Sequence, residues 1–269
     1  MFFLLSLLLI VPFSTQAEIF QWVDDNGSKN FSDKPHQGAK SLRIKPGYTY
    51  YQIKKIYDGD TILLTNGLKV RLLGINTPEV ERRNKLAQVG GEVAKSWLQK
   101  RLKNKKVRLE SDVEKKDKYG RLLAHVFTEN KEHINIELVK QGLASVNIHP
   151  PNLKYTDELI KAEQQAEQAR LGIWNYQEYA PKQLSQITQQ RVKGWQRITG
   201  VINNIRYSRR YIYLNFTDTF ALKIERKAEG LFPVLESYMG GPIEARGWVN
   251  RHKKRYSMII RHPSAIINR

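Results

Sequence analysis

Four stretches of the chain carry the residue types needed to cut a phosphodiester bond. Asp60 follows Asp58-Gly59, Arg71 stands between Val70 and Leu72, Glu79 follows Asn76-Thr77-Pro78, and Arg121 closes Asp117-Lys118-Tyr119-Gly120. Attack on a phosphodiester needs a cation on a non-bridging oxygen, a base that orients or deprotonates water, and fixed positive groups for the added charge of the five-coordinate state. Arginine suits the last task because its planar fork matches phosphate geometry. Each residue alone has a plainer reading. Asp-Gly pairs mark ordinary turns, Arg71 suits an exposed strand face, and Glu79 suits a helix cap. Their joint occurrence, in order, is what points to hydrolysis. Asp58 reads as support behind Asp60. The six histidines show no paired ligand spacing, which excludes a zinc site of the HExxH kind. His125 reads as a half-buried strand residue and His149 as a solvated loop residue.

The elements that must position these groups are short. Strand patterns cover Thr49 to Ile56, Thr61 to Leu64 and Leu68 to Ile75, with an Asn66-Gly67 turn between the last two. Helical periodicity from Gly91 takes in Val93, Ala94, Trp97, Leu98 and Leu102. Two further strands, Val107 to Val113 and Leu122 to Phe127, flank a polar turn. A helix follows at Ile134 to Gln141, and a longer one runs from a Thr156 cap to a Gly172 stop, with Leu159, Ile160, Ala162, Ala166 and Ala169 inward. Trp97 and Trp174 read as core. This pattern predicts a mainly β fold with helices: an OB-type five-stranded barrel with helices packed on it, over residues 49–180. Past Pro181 and a Gln-rich bridge, five more strand patterns (195–201, 211–216, 221–225, 242–249 and 256–261) predict a second, smaller OB-like barrel over 181–269.

Composition narrows the partners. The 269 residues hold 45 Lys+Arg against 26 Asp+Glu, a formal charge of +19, and no Cys. Absence of Cys excludes disulfides, thiolate metal sites and a thiol nucleophile. The charge favours a polyanion, and residues 181–269 hold 17 basic against 5 acidic groups.

In this order and at roughly these spacings Ile56 to Thr61, Val70 to Glu79, Asp117 to Arg121 and Leu171-Gly172-Ile173-Trp174 resemble the staphylococcal nuclease (thermonuclease) family over residues 49–176. The resemblance implies that Asp60 ligates a calcium ion (Ca2+) together with the Thr77 carbonyl. It further implies that Glu79 acts on the attacking water and that Arg71 and Arg121 bind the phosphate. Calcium-dependent endonucleolytic cleavage of DNA and RNA to 3′-phosphates would follow. Asn76 stands where the family usually has a second calcium-binding aspartate. Its amide oxygen can still ligate but brings no charge, so a weakened, substrate-assisted metal site is expected. The stretch Ser145 to Asn152 lacks the tyrosines with which family members can stack on a nucleotide.

Lys118 and Tyr119 are expected to touch nucleic acid beside Arg121. In the C-terminal part, Arg206, Arg209, Arg210, Arg251, Lys253, Lys254 and Arg255 fall in loops near Tyr207, Tyr211 and Tyr256, the mixture used for single-strand binding. At the other end, the apolar run Phe2 to Phe13 is too short to span a bilayer and leads to Thr15 and Ala17, the pattern of an export signal over residues 1–17. Residues 18–48 then predict an aromatic β-hairpin around Asn26-Gly27, with a linker from Lys34 to Gly47. This stretch is similar to small modules of unknown function that follow the signal peptide in exported Gram-negative proteins. The expected protein is thus a periplasmic or secreted nuclease. The competing class is a non-catalytic nucleic-acid-binding protein whose metal site has decayed. An anionic-lipid binder is disfavoured because no basic amphipathic helix is evident.

Overall fold

The computed structural model describes residues 19–42, 47–81, 86–189 and 194–269, in two compact units divided between Tyr48 and Thr49. The expected export signal lies outside the described residues.

In the first unit β1 (Ile19–Val23) and β2 (Lys29–Ser32) form the expected hairpin. The Asp24 carboxylate closes its turn, accepting from the Asn26 and Ser28 N–H groups at 3.1 and 2.9 Å, and Gly27 takes φ 79°. Part of the expected linker is instead a third strand, β3 (Lys40–Leu42), antiparallel to β1. The His36 ring stacks on Trp22 at 4.2 Å, which holds the returning segment on the hairpin.

The second unit opens with a barrel of β4 (Tyr50–Asp58), β5 (Thr61–Leu64), β6 (Lys69–Leu72), β8 (Lys106–Glu110) and β9 (Leu122–Thr128), closed in the order β4-β5-β6-β9-β8. Between β6 and β8 come β7 (Ile75–Asn76) and α1 (Gly91–Leu102). Alternation in β6 sends Val70 and Leu72 inward, where they join Ile62, Leu64, Val107, Ala124 and Val126. Ala94, Leu98 and Leu102 of α1 cap this core. Each such aliphatic burial contributes about 1.5–3 kcal/mol, so the barrel wall is a firm mount for polar groups at its rim. After β9 follow α2 (Ile134–Lys140), β10 (Ser145–Val146) and α3 (Thr156–Gln168).

Two details of α3 differ from expectation. Tyr155, at φ 60°, is the N-cap, and the Thr156 hydroxyl is buried with no hydrogen-bond partner. The helix ends at Gln168, so Ala169 is exposed, while Glu163 takes an inward position that its charge concealed in the sequence. His125 is fully buried and meets His133 and Tyr155, and burial pulls its imidazole down to about 4.

The C-terminal part comprises β11 (Lys182–Gln183), α4 (Leu184–Gln189), β12 (Gly194–Val201), β13 (Asn204–Tyr207), β14 (Tyr211–Thr217), β15 (Phe220–Glu225), β16 (Pro242–His252), β17 (Arg255–Ile260) and β18 (Ile266–Asn268). All five expected strands are present. They form one open sheet, β11-β12-β16-β17-β15-β14-β13, with β18 on β16. Among the described residues this sheet does not close, so the second barrel of the sequence reading becomes an open sheet. Its edge, β13, is one of three strands that the sequence reading lacked.

A buried ion-pair cluster joins the sheet to α3. Arg197 and Arg246 hold Glu244 at 2.8 and 2.7 Å, and Arg246 reaches Glu163 at 3.0 Å and Glu167 at 2.5 Å. Arg197 also pairs with Glu167, and Arg269 with Glu244. Both inner guanidinium groups lie over Trp174, at 5.3 and 5.2 Å. Burial pushes the Glu244 carboxyl up, but the three arginines outweigh it and bring it down to about 2.

Candidate active site

Asp60 lies in the tight turn between β4 and β5, and it is 5% exposed. Its carboxylate is held from three sides. The Thr77 N–H donates to Oδ2 at 2.9 Å, the Thr61 hydroxyl donates to Oδ1 at 3.0 Å, and Arg71 pairs with Oδ2 at 3.0 Å. Gly59 makes this approach possible, because a Cβ there would stand 2.7 Å from Thr77 Cγ2 and 2.8 Å from Ala94 Cβ. Asp58 is buried behind it and accepts from the Asp60 N–H at 3.1 Å. Burial, then the neighbouring Asp60 charge, pushes the Asp58 carboxyl up to about 6.

Arg71 projects from β6 opposite Thr61 and also donates to the Leu72 carbonyl at 2.9 Å. Asn76 is fixed by pairing of β7 with β10, where Ser145 is its register partner and donates to its carbonyl at 3.3 Å. The Asn76 amide faces two ways: Oδ1 accepts from Arg71 at 3.4 Å, and Nδ2 donates to the Thr77 carbonyl at 3.3 Å. Two residues on, Glu79 and Gln88 lock each other. The Glu79 N–H donates to Gln88 Oε1 at 2.9 Å, and the Gln88 N–H donates to the Glu79 carbonyl at 2.8 Å. Gln88 escaped the sequence reading because a lone glutamine carries no chemical signal. Gly91 opens α1 directly against Glu79, where any Cβ would collide with the Glu79 carbonyl oxygen.

Arg121 enters from the neighbouring strand, since β9 runs parallel to β6 and begins at Leu122 opposite Val70. Asp117 organises the turn, accepting from Arg121 Nε at 2.7 Å and from the Arg121 and Tyr119 N–H groups at 3.0 and 2.9 Å. Tyr119 is exposed, with the Lys118 ammonium 5.0 Å from its ring and the Arg121 guanidinium 5.6 Å away. The structure therefore brings Asp60, Arg71, Asn76 and Thr77 into one hydrogen-bonded cluster. Glu79 continues the same segment, and Arg121, Lys118 and Tyr119 share the adjoining turn.

Among the described residues there is no group of three or more His, Asp or Glu side chains able to hold a metal ion. The oxygens that a divalent cation could use are the Asp60 carboxylate, the Thr77 carbonyl and Asn76 Oδ1. This all-oxygen set suits a hard cation such as calcium. Each oxygen is engaged, however: Arg71 pairs with Asp60, and the Asn76 amide donates to Thr77. A calcium ion on these oxygens would need the Asn76 amide turned over and Arg71 displaced from Asp60.

The C-terminal basic residues separate. Arg209 and Arg210 lie in the β13–β14 turn, while Lys253 and Lys254 lie in the β16–β17 turn beside Arg255. Because β17 runs parallel to β15 and β15 antiparallel to β14, these turns fall at opposite ends of the sheet. Tyr256 is no platform: it is 7% exposed and stacked on Phe220.

A closed five-stranded barrel with flanking helices and an acid–guanidinium cluster on one rim is the architecture of an OB-type nuclease. Comparison with known proteins agrees. Residues 69–176 match the family described as staphylococcal nuclease homologue, and residues 5–50 match a domain of unknown function, DUF4124. The thermonuclease of Staphylococcus intermedius is 36% identical over 169 residues, covering 62% of this chain and 94% of that enzyme. The thermonuclease of Staphylococcus hyicus is 38% identical over 128 residues, 46% of this chain and 75% of that one. Endonuclease YncB of Bacillus subtilis is 33% identical over 171 residues, 58% and 81% of the two chains. The chain belongs to the staphylococcal nuclease family, whose members of this kind are nuclease-type hydrolases.

Proposed function

We propose that this protein is an exported, calcium-dependent endonuclease that hydrolyses DNA and RNA and leaves 3′-phosphates. The observation that carries the reading is the convergence of Arg71 and the Thr77 N–H on Asp60, with Asn76 bonded to Arg71 and to Thr77.

Calcium, held by Asp60, Asn76 and the Thr77 carbonyl, would supply positive charge to a non-bridging phosphate oxygen. The remaining work falls to the chain. Arg71 exchanges Asp60 for the phosphate as substrate arrives, and Arg121 contacts the same group from the neighbouring strand. Both forks meet the charge that grows in the five-coordinate state. Glu79 orients a water and takes its proton as the water oxygen bonds to phosphorus. The P–O5′ bond breaks, the 5′ oxygen leaves as an alkoxide that takes a proton from solvent while Glu79 returns its own to solvent, and the phosphate stays on the 3′ side. Lys118 and Tyr119 line the approach.

Export rests on the Phe2 to Phe13 run with Thr15 and Ala17 after it. The competing reading, a nucleic-acid binder without catalysis, is favoured by one contact, the Asn76 amide on the Thr77 carbonyl. Incubation of the mature chain with supercoiled plasmid separates the two. Nicked and linear products with calcium, abolished by a calcium chelator, are expected. Intact plasmid at millimolar calcium would sustain the binding-only reading.

A further inference from the structure

The outward face of the C-terminal sheet holds a group of side chains that the nuclease reading leaves unused. Alternation along β14 buries Ile212, Leu214 and Phe216 and turns Tyr211, Tyr213 and Asn215 outward. Register then places Arg206 of β13 and Lys223 of β15 on either side of Tyr213. The Arg206 guanidinium lies 4.2 Å from the Tyr213 ring centroid. The Lys223 ammonium lies 4.4 Å from Tyr211 and 5.7 Å from Tyr213. The two rings are 6.2 Å apart. A groove of about 630 Å³ runs from Arg206 and Tyr213 past Asn215 to His252 and Arg255. Among the described residues that line it, the one acidic side chain is Asp218. Glu225, beside Tyr211, is paired with Lys227 at 3.1 Å.

This arrangement has a direction. Arg210 stands at one end of β14, the Arg206–Tyr213–Lys223 row crosses its middle, and Arg255 closes the other end. Seven residues at about 3.3 Å each give a path of about 23 Å, long enough for a few extended nucleotides. Cations spaced along a groove with an aromatic ring between them are what a polynucleotide needs when its bases are unpaired. A duplex keeps its base faces stacked inside and offers the ring nothing. Arg206 is exposed on an edge strand, so it is free to move to a phosphate while a base takes its place over the ring.

We propose that this sheet face is a second nucleic-acid site, which takes a single strand with one base stacked on Tyr213 and phosphates on Arg206, Lys223 and Arg255. The inference rests on the nuclease reading only in that the bound polymer would also be the substrate. The contacts themselves are independent of the barrel rim.

The test is anisotropy of a fluorescein-labelled oligothymidylate with the full mature chain in excess chelator, so that no cleavage intervenes. Tyr213→Phe should bind within about twofold of the unaltered chain, while Tyr213→Leu should weaken binding by about 5- to 150-fold, the stacking contribution of one base. Arg206→Gln and Lys223→Gln should each reduce the slope of log affinity against log salt by about 0.7. A duplex of equal length should compete poorly. Unchanged affinity in Tyr213→Leu, an unchanged salt slope, or equal competition by duplex would overturn the proposal. If Tyr213→Leu fails to fold, the salt slopes of the two Gln variants decide. Plasmid cleavage by the unaltered chain is read separately, so loss of this site would leave the nuclease reading standing.

Discussion

Asn76 joins two groups that a metal site would keep apart. Its Oδ1 accepts from Arg71 and its Nδ2 donates to the Thr77 carbonyl, so the amide occupies one prospective ligand while helping to hold an arginine beside another. An aspartate at this position would accept from Arg71 but could not donate to Thr77. It would also add the negative charge that tunes calcium affinity. Asn76→Asp is therefore expected to lower the calcium concentration for half-maximal cleavage by about tenfold or more, read from a calcium titration of plasmid nicking. An unchanged titration midpoint would contradict the role given to this amide. The residue types at Asp60, Arg71, Glu79 and Arg121 were legible in the sequence because carboxylates and guanidiniums in that order have few other uses together. The reciprocal lock of Gln88 on Glu79 was not, since its meaning lies only in a backbone contact nine positions away.

The elements were legible wherever burial imposes a period. β6 alternates, α1 repeats at helical spacing, and all five C-terminal strands fall where apolar alternation put them. What escaped was decided by tertiary contacts. β3 forms where composition reads as linker, because β1 offers an unpaired edge and Trp22 a surface for His36. β13 escaped because Asn204 to Tyr207 has little apolar alternation of its own and is held by pairing with β14. Two-residue β7 and β10 are too short to leave a pattern, yet their pairing sets Asn76. The supposed second barrel failed for a related reason. Strand count alone does not specify closure, which depends on stagger and tilt that the sequence does not display.

Within the second unit, the C-terminal sheet is tied to β7, which carries Asn76, by a continuous set of contacts. Arg246 holds Glu163, whose other oxygen accepts from the Val146 N–H at 2.6 Å, and Val146 belongs to β10, which pairs with β7. Removing Arg246 would take from the buried Glu163 carboxylate its ion-pair partner, while Glu244 keeps Arg197 and Arg269. Arg246→Met should cost about 3–5 kcal/mol in urea denaturation, and a loss below about 1 kcal/mol would show that the junction is not structural. Glu79→Gln tests the proposed hydrolysis at the rim most directly, because the change keeps shape and removes only the carboxylate assigned as base. Cleavage of plasmid DNA at saturating calcium should fall by about 10²- to 10⁴-fold, with affinity for uncleaved DNA within a few-fold of the unaltered chain. Cleavage that persists at the original rate would contradict the assignment of Glu79, and with it the hydrolytic account of this site.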